Sequence, residues 1–297
     1  MSQIPWSSHK VLFREVELSG HLVTEGPLRV GAGREPPLGS AVDLAVLRIM
    51  SAGKEVPYIP GSSLKGVFRS TATQLARAKN LNVCSGLSRE TCMDVRDPQF
   101  GGRTLLEQIQ FLMLQGRTNE AIKTFHEKSC LLCKIFGAPS FTGHVEFSDA
   151  YPVDEVLVGV RTGIAIDRRT GAVYKHQLYQ VEYVEPGARF KLRIRGSNLP
   201  NYALGLLSKI LRMVNEGWIR IGGFKTRGFG EVRIENLEFV AHGATIQDMK
   251  FIKMDEHDID VDLTGLARVN GLLKASNKDA WAALAKFEEV WERADLS

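Results

Sequence analysis

The chain has few cysteines and no long apolar run. Its 297 residues include 4 cysteines, too few for a disulfide scaffold at this length. In a reducing compartment such cysteines are free thiols or metal ligands. No apolar run approaches the roughly 18 residues of a membrane-spanning helix, and the N-terminal stretch MSQIPWSSHKVLFRE lacks a signal peptide's apolar segment. We therefore expect a cytoplasmic protein with no membrane partner.

The usual signatures of catalysis and nucleotide binding are also absent. The sequence has no H-E-x-x-H pair, no dinucleotide fingerprint and no P-loop, and its 7 histidines are not clustered. These absences argue against a catalytic zinc site and against a P-loop nucleotidase. They also disfavour a ribonuclease that relies on histidine acid–base chemistry.

Positive charge is concentrated in the centre of the chain. The net charge is only +4, but the stretch from Arg161 to Arg195 holds eight basic residues and three acidic ones. Such asymmetry favours a polyanionic partner such as nucleic acid, although a solvated charged face explains the counts equally well. The acidic run DEHDIDVD at 255–262 has the character of an exposed linker before a final helix.

Hydrophobic periodicity predicts a mixed order of strands and helices. Alternation predicts strands at REVELSGHLVTE, HVEFSDA and ARFKLRIRG, the last with one uniformly basic face. Helical spacing predicts helices from the GSSLKG turn to about Lys79 and over 202–217, and the stretches WIRIGG and GFGEVRIENLEFV read as closing strands. The sum is an α+β fold with a ferredoxin-like βαββαβ core, the order used by RNA-recognition motifs.

Two long insertions interrupt this core. Residues 81–140 contain all the cysteines, and residues 155–186 contain a basic, strand-like segment around the turn DRRTG. Long excursions from a compact domain with this apolar content are usually functional. We expect residues 1–240 to form the core with its insertions, and 241–297 to form the acidic linker and a helix that packs on the core or on a partner.

The cysteine spacing predicts a structural metal site. Cys130 and Cys133 form a C-x₂-C pair that can place two thiolates on one zinc ion, and Cys84 and Cys92 can complete a Cys₄ site. His126 is a substitute ligand. The alternatives are buried free cysteines and a redox pair.

Two stretches can hold RNA phosphates. The GSSLKG turn places Ser62, Ser63 and Lys65 at a helix N-terminus, where hydroxyls, backbone N–H groups and an ammonium can converge on one phosphate. The glycine-rich stretch IGGFKTRGFGEV carries Lys225 and Arg227 on a loop whose backbone can approach RNA closely. Each signal alone is weak, and the first, taken in isolation, is better explained by an ordinary helix start with a solvent-facing lysine.

The motifs together resemble a known family. YIPGSSLKGVFR, CLLCKIFG, RTGIAIDRRTGAVYKHQLYQVEYVEPGARF and GGFKTRGFG occur in an order similar to the RAMP proteins, specifically the backbone subunits of type III CRISPR effector complexes. The resemblance spans about residues 14–240. It implies copies stacked as a filament on a CRISPR RNA, with a β-hairpin thumb around Ile164 to Glu185 that enters the guide–target duplex. The RNA-binding set it implies is completed by Arg69, Arg161, Arg168 and Arg169.

In such proteins an aspartate after the first strand is needed to cut target RNA, and Asp43 matches that position. The resemblance therefore implies a metal-dependent endoribonuclease acting on single-stranded target RNA, with a divalent cation such as magnesium, beside other effector subunits. Two alternatives stay open. One is a subunit that binds RNA without cutting it, and the other is a stand-alone endoribonuclease that processes CRISPR precursor RNA.

Overall fold

The computed structural model describes residues 4–31, 42–87, 89–265, 267–269 and 271–296. In this part of the chain the strands, in order, are β1 (Arg14–Thr24), β2 (Arg48–Ser51), β3 (Lys54–Pro57), β4 (Arg96–Asp97), β5 (Arg103–Thr104), β6 (Gly137–Ala138), β7 (Phe141–Thr142), β8 (Val145–Phe147), β9 (Val158–Ile166), β10 (Val173–Val184), β11 (Arg189–Ser197), β12 (Val232–Gly243), β13 (Ile246–Gln247), β14 (Lys250–Phe251), β15 (Val261–Asp262), β16 (Ala267–Val269) and β17 (Leu272–Ser276). The α-helices are α1 (Gly61–Ala78), α2 (Leu105–Leu114), α3 (Thr118–Lys128), α4 (Leu131–Phe136), α5 (Asn201–Asn215) and α6 (Asn277–Arg293). None of these helices has the length and apolar character needed to span a bilayer.

The central sheet has the strand order β16-β17-β12-β1-β11-β8. Every neighbouring pair in it is antiparallel. Within the sheet, β1, β8, β11 and β12 are the four strands of the predicted βαββαβ unit, with α1 and α5 as its helices. Their spatial order places the last strand beside the first and the third beside the second, as in ferredoxin-like folds. The predicted fold class is confirmed.

Alternation along the strands explains which face is buried. Val16, Leu18 and Leu22 of β1 are buried, as are Phe190, Leu192 and Ile194 of β11, and these residues join the apolar faces of α1 and α5 in one core. Because successive side chains of a strand point to opposite faces, the residues between these buried ones face solvent.

The opposite face of the sheet is mixed in charge. The four basic residues of β11 are exposed, as the strand pattern predicts. However, β1 lies antiparallel to β11 and places Glu17 opposite Arg195, so Glu17 accepts hydrogen bonds from Arg193 at 2.8 Å and from Arg195 at 2.7 Å. A face that is uniformly basic on one strand is thereby partly neutralised by its neighbour.

The segment after residue 243 completes the sheet and the core. Strands β16 and β17 extend the sheet beyond β12, and α6 packs on α5, with Phe287 and Trp291 fully buried. The acidic run is not an exposed linker, because Asp255 accepts hydrogen bonds from Trp6 and Tyr202, and Asp258 is only 5% exposed. A domain boundary at residue 240 stays a prediction.

The stretch WIRIGG is a loop and not the expected strand. It follows α5, and Ile221 donates its N–H to the Gly230 carbonyl at 2.8 Å, which closes the glycine-rich loop on itself. Only β12 of the two predicted closing strands is formed.

Candidate nucleic-acid interface and metal centre

Three long connections leave the same edge of the sheet, the edge where β1 and β8 end and β11 and β12 begin. We call it the upper edge. The connections are residues 25–60, 148–188 and 216–231. They are joined by backbone hydrogen bonds: Leu28 and Val184 exchange a pair at 3.0 and 2.8 Å, and Gly223 donates to the Arg29 carbonyl at 2.8 Å. Topology therefore gathers residues that are far apart in sequence.

The second connection contains the predicted thumb. Strands β9 and β10 form an antiparallel hairpin, with the pairs running from Val184 and Val158 to Val173 and Ile166. Tyr179 lies across Gly163 on the partner strand, where an added Cβ would be 2.2 Å from the ring. At the tip, Asp167 accepts the Arg169 N–H at 2.8 Å, and the side chains of Arg168 and Arg169 are exposed.

One face of the thumb presents apolar side chains to solvent. Val160, Ile164 and Leu178 are all exposed, and Ile164 and Leu178 are directly paired. If the hairpin served only to stabilise the fold, this apolar face would be packed against the protein's own core. This face is therefore suited to contact a partner molecule.

The glycine-rich loop contacts the thumb through an arginine–tyrosine pair. Arg227 donates from Nη1 to Tyr179 Oη at 2.8 Å, and its guanidinium lies 5.1 Å from the centre of the Phe224 ring. Phe224 adopts a left-handed backbone conformation with φ of 57°, which is costly for an aromatic residue and is typically found at functional sites. Lys225 follows it and is exposed.

Further arginines and aromatic rings surround this pair. Arg161 lies 5.6 Å from the Tyr183 ring and 5.2 Å from the Phe229 ring, and Arg29 lies 5.6 Å from the Phe224 ring. We call these residues the Arg–aromatic cluster; its members are Arg29, Arg161, Tyr179, Tyr183, Phe224, Arg227 and Phe229. Arg29 and Phe229 are buried and support the others from below. The exposed Arg161 and Arg227, with the partly exposed rings, form a combination of cations and flat rings that is suited to phosphates and unstacked bases.

Sequence reasoning found Arg161 and Arg227 but missed the rest of the Arg–aromatic cluster. Aromatic residues interleaved with basic ones, as in GGFKTRGFG, are the signal that could have indicated Phe224 and Phe229. Arg29 gives no local signal, since its role depends on contacts with the distant Phe224.

Asp43 lies against the base of the thumb. Its Oδ2 accepts the Gln180 N–H at 2.7 Å, and the next residue, Leu44, donates to the Gln180 carbonyl at 3.1 Å. The side chain is exposed. Because Tyr179 and Gln180 are consecutive, Asp43 and Arg227 bind neighbouring residues of one strand. Residues 32–41, which precede Asp43, lie outside the described part.

An ion pair holds the Asp43 segment in place. Glu182 accepts hydrogen bonds from Arg48 Nη2 at 2.6 Å and from the Val46 N–H at 2.9 Å. Burial acts to raise the pKa of Glu182, but the bonds from Arg48 and Val46 outweigh it and lower the pKa below its ordinary value. Glu182 therefore stays charged and fastens residues 44–48 to the thumb.

The start of α1 is also at the upper edge. Its first turn has no acidic residue, and Asp149, which follows β8, accepts the Gly61 N–H at 2.7 Å. Ser62 is exposed, whereas Ser63 and Lys65 are partly buried. Burial, aided by repulsion from Arg69, lowers the pKa of Lys65. An anion bound here would relieve the repulsion between these two cations.

A protein-family model for the RAMP superfamily matches residues 21–233, well over half of the chain. The chain belongs to the RAMP superfamily. This membership indicates a CRISPR-associated, RNA-binding subunit whose partners are CRISPR RNA and effector-complex proteins. No curated protein matches the chain. The match includes both insertions of this RAMP protein and ends at the start of β12.

Arg69 is one helical turn from Lys65 but makes its contacts with the cysteine insertion. It lies two turns along α1 from the helix start, and its Nη1 donates to the Gly137 carbonyl at 2.8 Å. Its Nη2 lies 3.7 Å from Cys133 Sγ. The guanidinium is thus directed into the cysteine insertion. The RNA-binding roles of the predicted set, Arg69 included, stay predictions.

The four cysteines of this RAMP protein meet in space. Their sulfur atoms all lie within 4.8 Å of one another, with Cys84 Sγ at 3.2 Å from Cys133 Sγ and 3.7 Å from Cys130 Sγ. A tetrahedral zinc site with Zn–S bonds of about 2.3 Å places its sulfurs about 3.8 Å apart. The donor set therefore fits a metal that prefers thiolates, and all four cysteines are free of disulfides.

Within the cluster, Cys130 is the thiol that ionises most readily. Hydrogen bonds from Cys133 and Cys92 lower the pKa of Cys130, whereas their hydrogen bonds to Cys130 raise the pKa of Cys92 and of Cys133. The Cys130 N–H also donates to Cys92 Sγ at 3.2 Å. His126 is not part of the centre, since its Nδ1 is 2.8 Å from Ser7 Oγ and its ring packs on Trp6. The cysteines alone supply a complete tetrahedral set.

Proposed function

We propose that this RAMP protein is a CRISPR RNA-binding backbone subunit of a type III effector complex, and that its copies stack along the guide and cleave target RNA at regular intervals. One observation carries the proposal. Asp43 and Arg227 contact successive residues of the thumb, Gln180 and Tyr179. A candidate cutting group, a phosphate-binding surface and a projecting hairpin therefore belong to one rigid arrangement.

The upper edge supports binding that does not read sequence. Lys225 and Arg227 on the loop, with Lys65 at the start of α1, offer cations to phosphates, and Ser62 and Ser63 offer hydroxyls. Phosphate contacts give affinity and register without base recognition. Sequence would then be read by base pairing between guide and target, as in other RNA-guided systems.

The thumb supports the regular spacing of cuts. Its exposed apolar face can pack against bases that have been unstacked, and its tip carries Arg168 and Arg169 for the backbone. If each stacked copy inserts one thumb, the RNA is distorted once per copy. Each Asp43 then faces one distorted step.

The chemistry assigned to Asp43 is activation of the RNA's own nucleophile. The carboxylate accepts the proton of a 2′-hydroxyl, whose oxygen bonds to the adjacent phosphorus while the bond to the 5′-oxygen breaks. The leaving 5′-oxygen takes a proton from water, so the products are a cyclic phosphate and a free 5′-hydroxyl. A magnesium ion held by Asp43 would supply charge stabilisation at the phosphate, and Arg227, bound to the neighbouring Tyr179, is the cation we assign to the same role.

A subunit that binds without cutting is the second candidate. It is favoured by one observation, that Asp43 already accepts a backbone hydrogen bond from Gln180. In that case the carboxylate only fixes the 42–48 segment on the thumb. For the metal centre we propose structural zinc on Cys84, Cys92, Cys130 and Cys133.

Sequencing the bound RNA tests the proposal. The full chain, co-expressed with its neighbouring subunits and a CRISPR array, should retain guides of defined length with several copies of the chain per guide. Complementary RNA should be cut at evenly spaced positions. Bound precursor RNA at one copy per molecule would contradict the backbone role, and complexes that bind target without cutting it would favour the second candidate.

A further inference from the structure

The guanidinium of Arg69 is enclosed by residues of the cysteine insertion. Arg69 comes from the third turn of α1, whereas the cysteines all come from the insertion, with Cys133 on α4. Its Nη1 is fixed by the Gly137 carbonyl at 2.8 Å, and its Nη2 approaches Cys133 Sγ at 3.7 Å. The contact therefore joins the helix that begins the core to the insertion that holds the thiolates.

Gly86 makes room for this guanidinium. Gly86 has a φ of 75°, and a Cβ there would lie 2.4 Å from Arg69 Nε. The residue lies between Cys84 and Cys92, so the chain that supplies two of the thiolates also covers one side of the arginine. A glycine meets both the left-handed backbone and the close approach.

The guanidinium has one buried group without an acceptor. Within the described part of the chain, Arg69 Nε is buried and makes no hydrogen bond. Buried N–H groups of a charged side chain are costly to leave unsatisfied. Fully ionised sulfurs beside it would supply compensating negative charge.

A loaded centre needs positive charge nearby. Four thiolates and one divalent cation carry a net double negative charge, which is costly in a partly buried site unless cations lie close. Arg69 contacts Cys133 Sγ directly, and Lys134 interacts electrostatically with Cys130 and Cys92. Arg89 and Lys128 line the open side of the centre with Cys84, Cys92 and Cys130.

We propose that Arg69 is an outer-sphere residue of a tetrathiolate metal centre. It hydrogen-bonds to the Cys133 thiolate, orients it and balances its charge. Because Arg69 is on α1, the position of this helix then depends on metal binding. Arg69 is a positioning residue in this assignment and is not part of the RNA-binding set. The inference rests on the zinc centre proposed above and is independent of the RNA activity.

Metal competition on the purified full chain tests this assignment. Zinc affinity is measured against a chromophoric chelator for wild type, Arg69→Gln, Arg69→Lys and Arg117→Gln. Arg117→Gln is the matched control, because it removes an exposed arginine of the same insertion that pairs with Glu120. We expect Arg69→Gln to bind zinc about 10- to 100-fold more weakly, Arg69→Lys to be intermediate, and the control to match wild type.

Cobalt substitution separates an outer-sphere residue from a merely structural arginine. Removing a cationic donor from Cys133 should shift the sulfur-to-cobalt charge-transfer band to lower energy, and Arg69→Lys should partly restore it. The increase in melting temperature caused by zinc should also be smaller for Arg69→Gln than for wild type. If Arg69 were only structural, this increase would be the same in both proteins.

Three results would overturn the assignment. They are a wild-type chain that binds no zinc, an Arg69→Gln variant with wild-type affinity, and a cobalt band that does not move. If Arg69→Gln does not fold, Arg69→Lys decides: weaker zinc binding than wild type supports the assignment, and equal binding overturns it. These readouts involve no RNA, so their outcome does not depend on the proposed function.

Discussion

One carboxylate oxygen of Asp43 accepts a backbone hydrogen bond, whereas the side chain as a whole is open to solvent. This oxygen is Oδ2, and its donor is the Gln180 N–H at 2.7 Å. An asparagine can still accept this hydrogen bond through its carbonyl but cannot accept a proton or hold a cation strongly. The pair Asp43→Asn and Asp43→Ala therefore separates the chemical role from the structural one.

We expect Asp43→Asn to reduce target cleavage by roughly two orders of magnitude or more with guide binding unchanged, since a positioned acid–base group is removed. Asp43→Ala should lose the same activity and also loosen the thumb. Cleavage rates on a labelled complementary RNA measure this. The control is Asp154→Asn, an exposed carboxylate that pairs with Arg189. Normal cutting by Asp43→Asn would move the chemistry to another residue.

Lys225 and Arg227 differ in how they are held. Lys225 is exposed, whereas Arg227 is oriented by Tyr179 Oη and the Phe224 ring. If both bind phosphates, their replacement with alanine should weaken RNA binding equally for all guide sequences. The slope of log affinity against log salt should flatten by about 0.7 for each phosphate that is no longer neutralised. Titrations at several salt concentrations test this, with exposed Lys123→Ala as control; an unchanged slope would contradict the assignment.

His126 gives the protein a defined pH response. Burial lowers its pKa from the usual 6.5 to about 4. As the pH falls below 6.5, His126 therefore becomes protonated in the unfolded chain while it is still neutral in the folded chain. Its contribution to stability is therefore present above pH 6.5 and is lost as the pH falls towards 4. Melting temperatures across this range should fall less in His126→Gln than in wild type. Parallel curves would show that His126 does not titrate in this way.

At the scale of the elements, both core helices begin at a proline and are capped from elsewhere. Pro60 precedes α1 and Pro200 precedes α5, and neither helix has a side-chain cap of its own. Asp149 accepts the Gly61 N–H, and Asp258 accepts the N–H groups of Asn201 and Tyr202 at 3.0 and 3.2 Å. Each remote carboxylate performs the role that a local N-cap usually has.

Asp258 should be important for stability. It is 5% exposed and also accepts the Met254 N–H at 3.0 Å, so Asp258→Ala leaves several buried donors unpaired. We expect a loss of about 2–3 kcal/mol in the free energy of unfolding. Denaturant unfolding measures it, with the neighbouring exposed Glu256→Ala as control. A loss no larger than that of the control would contradict the capping role.

At the scale of the whole molecule, the cysteine insertion has its own small core. Apart from the cysteines, its buried apolar residues are Met93, Leu105, Ile109, Leu112, Ala121 and Phe125. Such a small cluster gives limited stability, and a bound metal would add directly to it. The insertion is therefore the part of the fold that depends most on the metal.

Freshly purified protein should carry about one zinc per chain, as a closed tetrathiolate site requires. Chelation should lower the melting temperature of wild type, and added zinc should restore it. Cys130→Ser should have the melting temperature of the chelated wild type, and added zinc should not raise it. Elemental analysis and thermal melts test this. Absence of metal in chelator-free protein would return the cysteines to buried free thiols.

Much of this fold could be predicted because its signals are local. The alternation of Val16, Leu18 and Leu22 predicts β1 and its buried face, and the spacing of Leu64, Phe68 and Ala76 predicts α1. The C-x₂-C spacing predicts the centre of the metal site. Patterns of this kind need only the geometry of a strand or a helix, which a few neighbouring residues express.

Other features could not be predicted because they depend on register. Nothing near Arg195 indicates that Glu17 lies opposite it, and nothing near the DEHDIDVD run indicates that Asp258 caps α5. WIRIGG has the alternation of a strand but finds no partner strand, so its backbone bonds close a loop.

The sequence by itself determined the βαββαβ order, the position of the two insertions and the residue types available for RNA and metal, since periodicity and spacing are local properties. Only the tertiary structure decided which of these residues act together. It brought Arg227 to Tyr179, Asp43 to Gln180 and Arg69 to Cys133. The physical reason is that these contacts arise where long connections meet at one sheet edge, or where a helix packs on an insertion. Such meetings are set by strand order and core packing.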